Sequence, residues 1–246
     1  MVLYLTSDIG GYYEKDNQRI PITLNNSNNF IENLKEKWPE TANMLIICSD
    51  PDDFELNDIM KNVFFASFNH SGLFIDKIDV CDNRNYKMIQ KIYKYDVILL
   101  LGGHVPTQNV FLNNIKLEKY IKNFEGIIIG ISAGSMNCAK EVYAAPELDG
   151  ESLDDDYERI LDGLGLTEIN VLPHYQYVKN LFLDGKRLYE EIIYPDSVNK
   201  EFYALNDGSF VLIENNYTKM FGEIYLIKNC NVEKINEKEQ IKIFKK

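Results

Sequence analysis

The run Gly126-Ile127-Ile128-Ile129-Gly130-Ile131-Ser132-Ala133-Gly134 joins an apolar strand to a Gly-x-Ser-x-Gly turn. A serine on a sharp strand-to-helix turn projects its hydroxyl clear of the backbone. Such a strained turn closes only when its neighbours are small, as Gly130 and Gly134 are. A helix beginning just beyond Ser132 would aim its free N–H groups at the place where an oxyanion develops during acyl transfer. The residue types therefore predict nucleophilic attack on a carbonyl by Ser132. A glycine- and serine-rich turn can also do no more than cap a helix, so the reading needs a base and an acid.

Only three histidines are present, and they fall into different contexts. His70 closes an expected helix just before Gly72, where an imidazole ordinarily satisfies the last carbonyls. His104 follows Gly102-Gly103 at the end of an apolar run and is expected to line a substrate pocket. His174, in Leu172-Pro173-His174-Tyr175, also follows a short apolar run, and the carboxyl ends of parallel strands share one rim. His174 is therefore the expected general base. The acid that orients it is open. Glu147, Asp149, Glu151, Asp154, Asp155 and Asp156 form an acidic loop that reads equally as a solvated face, and Asp207 in Asn206-Asp207-Gly208 reads equally as a turn residue. Gly103 allows close backbone approach, and its N–H with that of Ala133 forms the expected oxyanion hole, each donor contributing about 3 kcal/mol. A phosphate-cradling loop or a simple turn is the alternative for the glycine pair.

Those residues need a scaffold, and short apolar runs alternating with longer amphipathic stretches predict one. The pattern is that of an α/β fold with a mainly parallel central sheet flanked by helices. Strands are expected at Val2 to Ser7, Met44 to Ser49, Leu73 to Cys81, Val97 to Leu101, Gly126 to Ile131 and Ile169 to Leu172. Helices are expected at Asn29 to Trp38, Leu56 to Ser71, Tyr86 to Tyr95 and Pro106 to Phe124. Beyond Tyr194 the runs Glu201 to Leu205, Ser209 to Glu214 and Glu223 to Lys228, split by Asn206-Asp207-Gly208 and Asn215-Asn216, read as antiparallel C-terminal hairpins. With 246 residues, 45% of them hydrophobic, and neither repeat nor linker, residues 1–246 are expected to form a single α/β hydrolytic domain.

A formal charge of -12 argues against nucleic acid and anionic membrane surfaces, both of which recruit clustered Lys and Arg. The Lys-rich stretch Lys234 to Lys246 is interrupted by Glu237 and Glu239 and reads as a solvated edge. Cys48, Cys81, Cys138 and Cys230 are too scattered for a zinc or redox motif. No metal or cofactor is expected. The N-terminal apolar run stops at Asp8, too short for a signal peptide, and no segment reaches the roughly 20 apolar residues of a membrane span. A cytoplasmic protein acting on a small molecule is expected; the oligomeric state is open.

The strand ending in Leu101-Gly102-Gly103, the elbow Gly130-Ile131-Ser132-Ala133-Gly134, Pro173-His174 and the late Leu205-Asn206-Asp207-Gly208 together resemble the peptidase E and cyanophycinase family of serine peptidases. That family has the class I glutamine amidotransferase-like fold. The resemblance spans most of the chain and implies a triad of Ser132, His174 and Asp207, with Asp207 where the dipeptidases usually carry Glu. The order Ser, His, acid differs from the Ser, acid, His of α/β-hydrolases. Taking Asp162 as acid would restore that order but leaves little chain between nucleophile and base for the remaining elements. Aspartyl dipeptidases of this kind hold a substrate carboxylate with an Arg-rich segment after the catalytic His. The matching region here is Leu183-Asp184-Gly185-Lys186-Arg187, which offers Arg187 as a substrate-binding residue. Ser135-Met136-Asn137 departs from the Ala-Asn usual after the elbow, so a different substrate is expected.

The expected function is a serine peptidase or amidase that cleaves a small peptide or amide through an acyl-enzyme on Ser132. Two alternatives stand beside it. One is a catalytically silent, amidotransferase-like binding module. The other is a glutamine amidotransferase-like enzyme, which requires a thiolate at the elbow, whereas Cys138 lies beyond it.

Overall fold

In the computed structural model, which describes residues 1–245, eight strands form one central sheet. Five are parallel, in the spatial order Ile75–Cys81, Ala42–Ile47, Val97–Leu100, Ile127–Ile131 and Val2–Thr6. Phe210–Glu214, Tyr217–Phe221 and Ile241–Lys245 extend the sheet antiparallel beyond Val2–Thr6. The inner parallel strands are largely apolar on both faces because both are covered, whereas the edge strand Ile75–Cys81 exposes Asp76 and Lys77. Leu3, Leu5, Leu45, Ile47, Ile98, Leu100 and Ile128 point into one core. The alternate residues Tyr4, Met44, Ile46, Val97, Leu99, Ile127 and Ile129 point into the other.

A second sheet of four strands carries the rest of the site. Asn170–Leu172 pairs in parallel with Glu201–Leu205, which pairs antiparallel with Ile224–Lys228, followed by Asn231–Asn236. This changes two expectations. The strand before His174 does not belong to the sheet that carries Ser132. Asn206-Asp207-Gly208 is not a hairpin turn: Glu201–Leu205 ends in the small sheet and Phe210–Glu214 begins in the large one, so these residues hand the chain from one sheet to the other. The second expected turn does close a hairpin, Phe210–Glu214 with Tyr217–Phe221, on Asn215 and Asn216 at φ 48° and 65°, the paired positive φ of a two-residue turn.

Phe54–His70 is the longest helix. The Asp53 carboxylate caps it by accepting from the Leu56 N–H at 3.0 Å. Gly72, at φ 73°, ends it with the Leu73 N–H bonded back to the Phe68 carbonyl at 3.0 Å. Three expected helices are cut down. Tyr86–Lys94 is 3-10 rather than α, and Phe30–Lys35 is shorter than expected. The Pro106 to Phe124 stretch divides at Lys116, φ 57°, into Val105–Asn114 and Leu117–Ile121. An additional hairpin, Gly10–Lys15 with Gln18–Leu24, turns on Asp16 and Asn17 at φ 51° and 60°. Among the described residues no helix is long and apolar enough to cross a membrane. Lys246, the last residue of the Lys-rich stretch, lies outside the described residues.

Candidate active site

Ser132 stands between Ile127–Ile131 and the short helix Ala133–Met136, at φ 49° and ψ -114°. Backbone of this kind costs roughly 1–3 kcal/mol and persists only where its surroundings fix it. Here the Ser132 N–H donates to the Thr6 carbonyl at 3.0 Å, and the Ser132 carbonyl accepts from the N–H groups of Ser135 and Met136 at 2.9 and 3.1 Å. The Ser135 hydroxyl locks the helix to the neighbouring strand, accepting from the Thr6 N–H and donating to the Thr6 carbonyl, both at 2.8 Å. Gly134 is obligatory for close approach: a Cβ there would stand 2.2 Å from the Leu100 carbonyl oxygen.

His174 caps the end of Asn170–Leu172 in a left-handed conformation, φ 59° and ψ 25°. Its Nδ1 lies 2.8 Å from Asp207 Oδ1, and its Nε2 lies 3.0 Å from Ser132 Oγ. An ionised carboxylate only accepts, so the proton sits on Nδ1 and Nε2 is free to accept from the serine hydroxyl. Ser7 ties the row together, and sequence reading missed it. Its hydroxyl donates to Asp207 Oδ1 at 2.6 Å and accepts from the His174 backbone N–H at 2.7 Å. The Asp207 N–H donates to Gln176 Oε1 at 3.0 Å. Of the acids left open, Asp207 is the one bonded to the imidazole.

Burial lowers the His174 pKa, but the bond to Asp207 and the charges of Asp207, Asp8 and Glu147 outweigh it and leave the imidazole above its ordinary value. Burial raises Asp207, and the bonds from His174, Ser7 and Gln176 more than reverse that, leaving it below the ordinary carboxylate range. Glu147 behaves oppositely. Although the residue as a whole is exposed, desolvation of its carboxyl, then the Glu151 charge, push it up to about 7, with His174 pulling the other way.

Two cavities meet at Ser132 and His174. The larger, about 570 Å³, is mixed: Asp8, Asp50, Asp53 and Arg19 line it with Gly102, Gly103 and His104, alongside Met60, Phe64 and Leu101. The smaller, about 260 Å³, is bounded mostly by aliphatic side chains, with Glu147 beside them. Neither the Gly103 nor the Ala133 N–H donates to another described residue. Ala133 is fully buried at the head of its helix, and Gly103 packs so closely that a Cβ would meet Ser49 Oγ at 2.4 Å.

His104 lines the larger cavity. Its ring bonds Thr107 Oγ1 at 2.8 Å and Glu151 Oε1 at 2.9 Å. Glu151 also accepts from the N–H groups of Glu147 and Leu148, so this one residue ties the acidic loop to the site, while Asp149, Asp154, Asp155 and Asp156 are exposed. Arg187 is not brought to the site. It lines neither cavity, its guanidinium sits 5.5 Å over the Phe182 ring, and it pairs with Glu190 at 3.8 Å. The arginine that does reach the larger cavity is Arg19, at the start of Gln18–Leu24, a strand whose alternating Ile20, Ile22 and Leu24 says nothing of which cavity Arg19 lines. Cys138 is fully buried against the Gly134 carbonyl, and burial pushes its thiol pKa upward. No metal-holding group of His, Cys, Asp or Glu occurs among the described residues.

The sequence matches the model of peptidase family S51 over residues 55–221. No curated protein sequence matches the chain. Among solved structures, a peptidase from an acI-B1 actinobacterium is similar at a TM-score of 0.68 and 14% identity, covering 99% of this chain and 96% of that one. A protein assigned as peptidase E from Listeria monocytogenes EGD-e is similar at 0.56 and 16% identity, covering 96% of this chain and 98% of that one. At such identities these likenesses speak to the fold, which they share across its length.

Proposed function

Because the chain belongs to peptidase family S51 and so carries a peptidase function, we propose that it cleaves a small peptide or amide through an acyl-enzyme on Ser132. His174 Nε2 takes the hydroxyl proton as Oγ attacks the carbonyl. The resulting oxyanion is held by the N–H groups of Gly103 and Ala133. His174 then gives its proton to the departing amine, and the same pair activates water to release the acyl group. Asp207 stays ionised throughout, holding the imidazole in the productive tautomer and stabilising its cation. His104, on the wall of the larger cavity, contacts the substrate.

The observation that carries this reading is the continuous row from Asp207 through His174 to Ser132, at 2.8 and 3.0 Å. Two N–H groups beside that row without an acceptor among the described residues support it further. Residues 1–246 act as one hydrolytic domain in this proposal, since the site draws on both sheets. A cytoplasmic setting is part of it, and the free cysteines fit that setting. The amidotransferase alternative lacks its thiolate, because Cys138 is buried and protonated at neutral pH.

A fluorophosphonate probe tests the proposal against a silent binding module. Wild type should label covalently and Ser132→Ala should not. A folded wild-type protein that resists the probe would sink the mechanism.

A further inference from the structure

The smaller cavity is the distinctive part of this site, and its chemistry is one-sided. Met136, Leu172, Leu188 and Ile193 are at most 5% exposed and form its walls, so it is shaped before any ligand arrives. Leu181, at 42% exposure, stands at its rim. Its volume of about 260 Å³ is below the ~300–1,000 Å³ typical of a pocket for a whole ligand. The space fits a single side chain of a larger substrate lying across Ser132.

Charge decides which side chain. Among the described residues, Glu147 carries the one ionisable group bounding the cavity besides His174 and the phenol of Tyr189. The basic residues nearby in sequence are engaged elsewhere. Lys186 Nζ donates to the Ser152 carbonyl at 2.8 Å, Lys179 Nζ sits 5.7 Å over the Tyr175 ring, and Arg187 faces Phe182 and Glu190. At pH 8 a carboxylate entering the cavity would lose its hydration, find no Lys or Arg, and face the ionised Glu147. An aliphatic side chain would meet mostly matching surface.

We propose that this cavity is a specificity pocket for an uncharged apolar side chain adjoining the scissile bond, and that it rejects an acidic one. The inference rests on the serine-peptidase reading and names its substrate class: small peptides with a residue such as Leu or Met next to the cleaved bond. Glu147 at the wall reinforces the choice by repelling anionic competitors.

The test uses the full chain at pH 8, where Glu147 is ionised, with matched dipeptides tested free and N-acetylated. Leu, Gly or Asp is placed on one side of the bond and then on the other. On one of the two sides, Leu in place of Gly should raise kcat/KM about 10- to 100-fold, and Asp should bring no gain. Leu181→Asp should lower the Leu-to-Gly ratio by at least about tenfold, with probe labelling reporting that its site is still assembled. The wild-type ratios stand alone should that variant not fold. Equal rates for Leu, Gly and Asp, preference for Asp, or no turnover of any member by protein whose Ser132 labels would overturn the inference and leave the peptidase mechanism standing. Failure of wild type to label removes both.

Discussion

Replacing Asp207 by Asn deletes one charge from the site while keeping the outline of the side chain. In the wild type the imidazolium formed during attack lies against a carboxylate whose Oδ1 is 2.8 Å from Nδ1. At that separation two unit charges attract by about 1.5 kcal/mol in a water-like medium and ~6 kcal/mol at an effective dielectric of 20. The His174 side chain is 37% exposed, so solvent screening keeps the value short of the upper figure. About 3 to 4 kcal/mol corresponds to a loss of ~10²- to 10³-fold in rate. The amide NH₂ can also donate to Nδ1, which would move the ring proton to Nε2 and aim it at Ser132 in the unproductive sense. The pseudo-first-order rate of fluorophosphonate labelling measures this without a known substrate, and circular dichroism checks the fold. The pH dependence has a definite sign. Only neutral His174 can accept the serine proton, so wild-type labelling rises as pH climbs through a pKa held above the ordinary histidine value. Without the Asp207 charge that pKa falls, so the acid limb should move to lower pH while the plateau drops. Retention of more than a third of the wild-type rate, an acid limb displaced upward, or the loss falling on Glu147→Gln instead would refute the role given to Asp207.

Ser7→Ala removes the hydroxyl that links Asp207 to the His174 backbone. It should cost about 1–3 kcal/mol in urea denaturation through the unpaired groups it leaves and slow labelling about tenfold, an effect that Ser7→Thr should partly rescue. Gly134→Ala should destabilise the fold by about 1–3 kcal/mol through collision with the Leu100 carbonyl, read as a lowered urea midpoint.

The inner parallel strands were legible because each is a short, largely apolar run between turn residues, as a strand covered on both faces must be; the edge strand Ile75–Cys81, with Asp76, Lys77 and Asp79, shows the pattern less cleanly. The Ser132 elbow was legible for the same reason: one apolar strand delivers it, and two glycines mark where crowding would otherwise forbid the turn. What lay beyond reach depended on long-range placement. Nothing in Ile169 to Leu172 says that this strand joins a second sheet, since its apolar pattern suits either. Asn206-Asp207-Gly208 has turn composition, and composition does not distinguish a hairpin from a link between sheets. Ser7 gave no signal, because a serine after a strand is common and its worth comes entirely from Asp207, 200 residues away. Arg187 was misplaced because order along the chain says little about direction. Its strand, Lys186–Arg187, turns the guanidinium toward Phe182 and away from both cavities.

The crossing of the chain between its two sheets at Asn206 to Gly208 leaves the parts of the proposed triad distributed over separate layers. Ser132 is anchored in the large sheet, His174 in the small one, and Asp207 in the joint itself. No single layer owns the chemistry. Reactivity of the hydroxyl is therefore a gauge of how well the layers are mated: a perturbation that slides one against the other by an ångström would silence the serine while leaving every strand intact.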